Sequence, residues 1–155
     1  MRDRGIRVNV CRGSVTDARP DLRGVHPRGW PAGSVWDNVP GATIGNDIFV
    51  ATTGHPANPH IPPNGEGHGS ANMMFHEIFH GIDNTGVGGH RSTAADFNNA
   101  RTTDIGSLTP YQRQPGAAGQ EETYAESAAR FYSGDPNMPP HLRDYWRNDP
   151  LAPPH

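Results

Sequence analysis

The chain has 155 residues, a formal net charge of −3 and only 33% hydrophobic residues. Its 19 glycines and 16 prolines predict many loops and short elements around a modest core. No acidic or basic block is present, so nothing in the composition indicates binding to nucleic acid or to an anionic membrane. No apolar run approaches the ~18 residues of a membrane span. The polar N-terminus does not resemble a signal peptide, and a secreted form is expected to use another route or to be cut from a longer polypeptide.

All 13 basic residues are arginine. Two explanations for the absence of lysine stay open: codon bias in a GC-rich genome, which we favour, and a toxin that avoids lysine modification in a target cell. The single cysteine, Cys11, excludes an intrachain disulfide and is expected to be a buried structural thiol.

Three short strands are predicted in the first half of the chain. Residues 6–11 alternate apolar and polar, residues 34–39 form a second candidate that ends at a Pro-Gly pair, and residues 46–53 are rich in β-branched and aromatic side chains. Pro20, Pro27 and Pro31 predict a loop over residues 17–33. Strand 47–53 is either the strand along which an extended peptide substrate binds or an ordinary central strand.

Residues 54–69 are rich in Pro, Gly and His and predict a loop that lines a cleft or merely connects two elements. Its histidines His55, His60 and His68 lack convincing ligand spacing.

Residues 70–83 predict an amphipathic helix with Ser70 at the N-cap position. The following apolar residues recur at i, i+3, i+4 and i+7 and are expected to face the core: Ala71, Met74, Phe75, Ile78, Phe79 and Ile82.

The opposite face of this helix carries a His-Glu-x-x-His motif at His76, Glu77 and His80. At about 100° per residue the two imidazoles and the carboxylate project together, away from the core. Two histidines one turn apart can bind zinc, and the carboxylate beside them can take a proton from water. The motif therefore predicts a zinc metallopeptidase that needs one more protein ligand. Asp83, one turn beyond His80, is either a hydrogen-bond partner of the ligands or an ordinary residue at the helix end.

Three further helices are predicted, from Ser92 to residue 101, over 120–132 and over 139–147, with a loop over 102–119. In helix 120–132 one face holds Glu122, Ala125, Glu126 and Ala129. Two alanines allow a close approach to another helix, and two carboxylates then point at that helix. The alternative is that these acids only favour the positive end of the helix dipole.

Three stretches together resemble the anthrax lethal factor peptidase family, which includes the Pro-Pro endopeptidases. They are His76-Glu-Ile-Phe-His-Gly-Ile-Asp83, Leu108-Thr-Pro-Tyr111 and Glu122-Thr-Tyr-Ala-Glu126-Ser-Ala-Ala-Arg130. The metzincin pattern is excluded, because Asp83 and Gly86 stand where it requires Gly and His. The resemblance covers roughly residues 70–132.

The resemblance implies one catalytic Zn²⁺ ion held by His76, His80 and Glu122, with Glu126 behind the ligands. It also implies that Tyr111 stabilises the oxyanion and that Glu77 acts as general base. Tyr111 precedes Glu122 by eleven positions, more than in the family, and an insertion over 115–119 would absorb the difference. The fallback is Tyr124, whose helical phase points the wrong way.

The expected fold is a single α+β, zincin-like domain over residues 1–155, with a small sheet and loops in 1–69 and helices with the metal site in 70–155. The expected function is zinc-dependent peptide hydrolysis by a secreted or injected bacterial toxin or effector. The expected partners are a peptide or protein substrate and an immunity or delivery protein. Two alternatives stay open: a zinc amidase that acts on cell-wall peptides, and a non-catalytic zinc-binding module.

Overall fold

The computed structural model describes residues 5–11, 13–27, 32–51, 70–85 and 90–148. Within these ranges the strands are β1 (Arg7–Cys11), β2 (Gly41–Ile44) and β3 (Asp47–Ala51). The α-helices are α1 (Val15–Ala18), α2 (Met73–Asn84), α3 (Ala95–Thr103), α4 (Gly116–Tyr132) and α5 (Pro140–Asn148). Short 3₁₀ turns lie at Pro20–Leu22, Trp36–Asn38, Arg91–Thr93 and Ile105–Ser107. A small sheet followed by helices confirms the predicted α+β class. Among these helices, none has the length and apolar character that crossing a membrane requires.

The three strands form one mixed sheet in the order β1-β3-β2. β3 pairs parallel with β1 and antiparallel with β2, which it follows through a turn at Gly45 and Asn46. Gly45 has a φ of 61°, a conformation that favours glycine at the first position of such a turn. The central strand has four consecutive buried residues, Ile48 to Ala51, as expected for a strand covered on both faces.

Alternate residues of β3 point into two different apolar clusters. Ile48 and Val50 join the main core with α2, α4 and α5. Phe49 and Ala51 join a smaller cluster on the other face. Cys11 is buried in this smaller cluster, which agrees with the structural thiol that the sequence predicts.

Helix α4 packs along α2 through small side chains. Ala125 and Ala129 are fully buried, so the two helices approach closely, as the sequence predicts. Tyr124 and Trp146 fill the core beside them, and Trp146 Nε1 donates a hydrogen bond to Ser127 Oγ at 2.8 Å. This bond ties helix α5 to α4, and Trp146 also contacts Phe79 of α2 at a ring-centroid distance of 5.1 Å.

The predicted strand over 34–39 is wrong. This stretch holds a 3₁₀ turn in which Asp37 accepts hydrogen bonds from Gly24 N at 2.7 Å and Thr16 Oγ1 at 3.0 Å. Such local side-chain bonds compete with strand pairing. The strand comes directly afterwards, at β2, which begins at Gly41, where the Pro-Gly pair predicts a break.

The predicted boundaries of two helices also differ from the structure. The N-cap of α2 is Asn72, whose side chain accepts from Phe75 N at 3.2 Å, rather than Ser70. Met74 is 36% exposed while Met73 is buried, because the side of α2 that carries Met73 packs against Gly41 of β2. Helix α4 begins at Gly116, four residues before its predicted start.

The prediction that a substrate adds to strand 47–53 is also wrong. β3 is the central strand, and both of its edges are occupied by β1 and β2. Residues 52–69, with the three loop histidines, lie outside the described residues.

Candidate metal centre

Three side chains predicted as metal ligands converge between α2 and α4. His76 Nε2 lies 3.0 Å from His80 Nε2 and 3.3 Å from Glu122 Oε2, and His80 Nε2 lies 3.5 Å from the same oxygen. The two histidines are one turn apart on α2, and α4 presents Glu122 across the small-residue contact. His80 and Glu122 are 42 positions apart in the sequence, and the packing of α4 against α2 brings them together.

The spacing of these atoms suits a zinc ion. Zinc–nitrogen and zinc–oxygen bonds of about 2.0–2.1 Å in tetrahedral geometry place the ligand atoms about 3.3 Å apart. The three observed distances bracket that value. Each of the three residues offers one ligand atom, and these atoms lie within 4.8 Å of one another, close enough to hold a metal ion. Two imidazoles and one carboxylate leave one tetrahedral position open, as in catalytic zinc sites.

Glu126 lies one turn after Glu122 and supports the site from behind. Its Oε2 is 3.3 Å from His76 Nδ1, and its Oε1 accepts a hydrogen bond from Ala71 N at 3.0 Å. A carboxylate at Nδ1 favours the tautomer whose proton is on Nδ1, which leaves Nε2 unprotonated. Glu126 therefore holds the His76 ring with Nε2 towards His80 and Glu122.

The close packing of acid and imidazole groups perturbs their protonation in the metal-free site. Burial acts to lower the pKa of His76, but contacts with Glu122 and Glu126 and the charge of Glu77 outweigh it and raise that pKa to about 10. Burial acts to raise the pKa of Glu122, yet the adjacent imidazoles of His76 and His80 hold it well below its usual range.

Glu77 is buried between α2 and β2, with 4% of its surface exposed. Thr43 Oγ1 lies 3.0 Å from Glu77 Oε2 and 2.9 Å from the Glu77 backbone oxygen. A β-carbon built on Gly41 would lie 3.0 Å from Glu77 Cγ, so the strand passes very close to this side chain. The sequence does not predict either contact, because β2 itself is absent from the predicted elements.

Tyr111 lies on the loop before α4 and faces the same cleft as Glu77 and Glu122. Burial of its hydroxyl and the negative charge of Glu122 raise the pKa of Tyr111, so it stays a protonated donor at neutral pH. The backbone oxygen of Gln112 accepts hydrogen bonds from Arg101 at 2.8 Å and from Thr123 at 3.0 Å, which ties the loop to α3 and α4.

The long spacing between Tyr111 and Glu122 has a structural explanation. The extra residues over 115–119 are not only loop, because α4 already begins at Gly116. The loop then folds back along this first turn, where Gly119 leaves room for the backbone of Gln114. Tyr124, the alternative tyrosine, is fully buried in the core, as its helical phase predicts.

Asp83 has a different environment from Glu126. Its carboxylate accepts a hydrogen bond from Ser92 N at 2.8 Å and lies 3.5 Å from His90 Nδ1. These contacts tie the end of α2 to the segment that leads into α3. They favour a structural role for Asp83 over the predicted role beside the ligands.

The cleft over the three ligands has a volume of about 330 Å³, at the small end of the range for ligand pockets. One wall is formed by Trp36 and β2, and the other by α2, α4 and Tyr111. Trp36 and Asn84 are among the cleft residues that the sequence did not indicate. Asn84 follows His80 by four positions, so the helical period places both residues on the same face of α2. That spacing could have identified Asn84 as a cleft residue.

Comparison with known proteins places these features in a family. The family model described as "Anthrax toxin lethal factor, N- and C-terminal domain" matches residues 1–144. A Pro-Pro endopeptidase of Paenibacillus alvei is 32% identical over 87 residues, which cover 54% of this chain and 36% of the relative. A Pro-Pro endopeptidase of Clostridioides difficile is 28% identical over 138 residues, which cover 85% of this chain and 56% of the relative. The chain thus spans about a third to about half of the length of these relatives.

The solved structure of the Pro-Pro endopeptidase from Paenibacillus alvei has a similar fold. It superposes with a TM-score of 0.68 and 24% sequence identity, over 93% of this chain and 77% of that structure. At this identity the superposition supports the α+β fold, with its small sheet beside the helices.

Proposed function

Because the chain belongs to the family of the anthrax toxin lethal factor N- and C-terminal domain, we propose that it is a zinc-dependent metallopeptidase. The observation that carries the proposal is the triangle of His76 Nε2, His80 Nε2 and Glu122 Oε2, with sides of 3.0, 3.3 and 3.5 Å. The buried carboxylate of Glu77 lies in the same cleft.

His76, His80 and Glu122 would hold the zinc ion, and Glu126 would hold His76 in place. When bound, zinc polarises the scissile carbonyl and lowers the pKa of a coordinated water towards ~7. The remaining chemistry belongs to residues of this chain. We also propose that the single domain comprises residues 1–155 with this site in its helical half.

Glu77 acts as the general base. It takes one proton from the attacking water as the water oxygen bonds to the carbonyl carbon, and it then gives that proton to the amide nitrogen as the C–N bond breaks. Tyr111, kept protonated by its raised pKa, donates a hydrogen bond to the carbonyl oxygen as negative charge develops there. Water is consumed, and a carboxyl and an amino terminus are formed.

The substrate would lie along β2. Within the described residues β2 pairs only with β3, so no strand among them occupies its other edge. An extended peptide can pair with such an edge while its side chains enter flanking pockets. The relatives are named Pro-Pro endopeptidases, and we propose a peptide with adjacent prolines as the substrate. The Trp36 side chain in the wall offers a flat apolar surface to a proline ring.

A secreted or delivered toxin or effector is the setting we propose for this activity. It is supported by the toxin in the family description, whereas a dedicated immunity or delivery protein is proposed on the analogy alone. Expression inside a candidate target cell, with Glu77→Ala as the matched variant, tests it. Growth arrest by the wild type alone supports a toxin, and equal growth of both strains contradicts one for that cell.

Cleavage of an unbiased peptide library by the zinc-loaded wild type and by Glu77→Ala tests the enzymatic proposal. We expect cuts by the wild type, enriched at bonds flanked by proline, and none by Glu77→Ala. Cleavage of purified cell-wall sacculi without cleavage of peptides would favour the amidase alternative. Stoichiometric zinc without hydrolysis of either substrate would favour a non-catalytic zinc-binding module.

A further inference from the structure

Two residues of β2 lie beside the Glu77 side chain in the cleft. Gly41 and Thr43 are two positions apart, so they lie on the same face of the strand. Their pairing partners on β3 are Val50 and Ile48, which point into the core beneath α2. This face of β2 therefore meets the side of α2 that carries Glu77.

Thr43 approaches Glu77 through one hydroxyl group that has two acceptors within reach. Thr43 Oγ1 is 2.9 Å from the Glu77 backbone oxygen and 3.0 Å from Glu77 Oε2. If the hydroxyl served only to tie β2 to α2, the backbone oxygen would suffice. The two separations are nearly equal, so the single hydroxyl lies between the backbone oxygen and Oε2, and the contact with Oε2 also restrains the side chain.

Gly41 limits the carboxylate from a second direction. A β-carbon at this position would lie 3.0 Å from Glu77 Cγ and 3.1 Å from Glu77 Oε1. Position 41 thus has no room for a side chain beside Glu77, while the Thr43 hydroxyl contacts Oε2. Together the two residues leave Glu77 little freedom to rotate.

We propose that Thr43 is a positioning residue for the general base Glu77, an inference that rests on the proposed peptidase function. Its hydroxyl holds Oε2, and Oε1 is the oxygen that receives the proton of the attacking water and returns it to the leaving nitrogen. A hydroxyl can both donate and accept, so the contact with Oε2 persists in both states of the carboxylate. In this role the Thr43 hydroxyl acts on the Glu77 carboxylate, not on the metal or on the reacting atoms of the substrate.

Kinetic comparison of Thr43→Val and Thr43→Ser tests the proposal. Valine keeps the shape and strand preference of threonine but lacks the hydroxyl, whereas serine keeps the hydroxyl. We expect Thr43→Val to lower kcat by about 10- to 100-fold, as for loss of a hydrogen bond to a charged group, with KM and zinc affinity within about twofold of wild type. Thr43→Ser should restore kcat to within about threefold. Thr103→Val makes the same change at an exposed position of α3 and is the control, which should leave kcat unchanged.

Crystal structures of the zinc-loaded wild type and Thr43→Val give a readout that does not depend on hydrolysis. We expect one Glu77 conformer with Oε2 on Thr43 in the wild type, and several conformers or a rotated carboxylate in Thr43→Val. An unchanged Glu77 conformer, an unchanged kcat, or a kcat loss accompanied by loss of zinc would each overturn the positioning role. If the wild type cuts no peptide, the proposed function fails, and the Glu77 conformers alone decide the role of Thr43.

Discussion

Oε2 of Glu126 lies 3.3 Å from Nδ1 of His76, while Oε1 of the same carboxylate accepts a hydrogen bond from Ala71 N. One side chain of α4 thus contacts both Ala71, just before the N-cap of α2, and the ring of His76, a proposed metal ligand. Carboxylates that bind the outer nitrogen of a ligating histidine fix its tautomer and orientation. We therefore expect Glu126 to raise the affinity of the site for a metal ion.

Removal of this support should weaken metal binding without removing a ligand. We predict that Glu126→Gln lowers zinc affinity by about 10- to 100-fold, because His76 loses its charged partner. Competition with a chromophoric chelator measures the change. Asp144→Asn removes an exposed carboxylate from α5 and is the control, with unchanged affinity expected. Equal affinities for Glu126→Gln and wild type would contradict the role of Glu126.

Glu77 and Glu122 should separate turnover from metal binding. We predict that Glu77→Ala retains one zinc per chain and loses peptide hydrolysis, because the metal ligands remain while the base is gone. Glu122→Ala should lose zinc affinity, because only His76 and His80 remain as protein ligands. Metal content after dialysis and peptide cleavage are measured on the same preparations. Full hydrolysis by Glu77→Ala would contradict the assignment of Glu77 as the general base.

Zinc affinity should depend on pH above neutrality. The pKa of His76 in the metal-free site is about 10, so between pH 7 and pH 9 zinc must displace a proton from this residue. We predict that apparent affinity rises about tenfold per pH unit over this range and levels off near pH 10. In Glu126→Gln the plateau should begin at a lower pH, because one of the groups that raise this pKa is gone. Affinity that stays constant from pH 7 to pH 9 would show that His76 is not protonated in the metal-free protein.

The close approach of β2 to Glu77 should make position 41 intolerant of a side chain. In Gly41→Ala the new carbon would lie 2.9 Å from Met73 Sδ and 3.0 Å from Glu77 Cγ, so Glu77 must move. We predict a loss of kcat of at least about tenfold with zinc retained, by the reasoning that a small misplacement of a catalytic group is costly. Gly106→Ala is the matched control, since a β-carbon there has no neighbour within 4 Å. Equal kcat values for the two variants would contradict the close packing of Glu77 against β2.

The helical part of the site can be predicted from the sequence because its residues recur with the period of an α-helix. His76 and His80 are one turn apart, as are Glu122 and Glu126, so the face of each helix can be deduced from the spacing. The buried alanines of α4 indicate that the two faces meet closely. These features predict which carboxylates approach the histidines, and the structure places them within 3.5 Å.

The strand side of the site could not be predicted in the same way. β2 is only four residues long, begins after Pro40 and contains Gly41, so it has neither alternation nor strong strand preference. The contact between Thr43 and Glu77 joins residues 34 positions apart, and no local pattern records it. The order β1-β3-β2 also depends on pairing between distant segments, which is why β3 was open to interpretation as the substrate strand.

Titration of metal-free protein with zinc, followed by peptide cleavage, tests whether one zinc ion is catalytic. We expect metal-free protein to be inactive and activity to rise in proportion to added zinc up to one equivalent per chain. Glu122→Ala should show no such rise at the same concentrations. Cleavage that is undiminished after removal of the metal, or activation that requires more than one equivalent, would contradict a single catalytic zinc ion held by His76, His80 and Glu122.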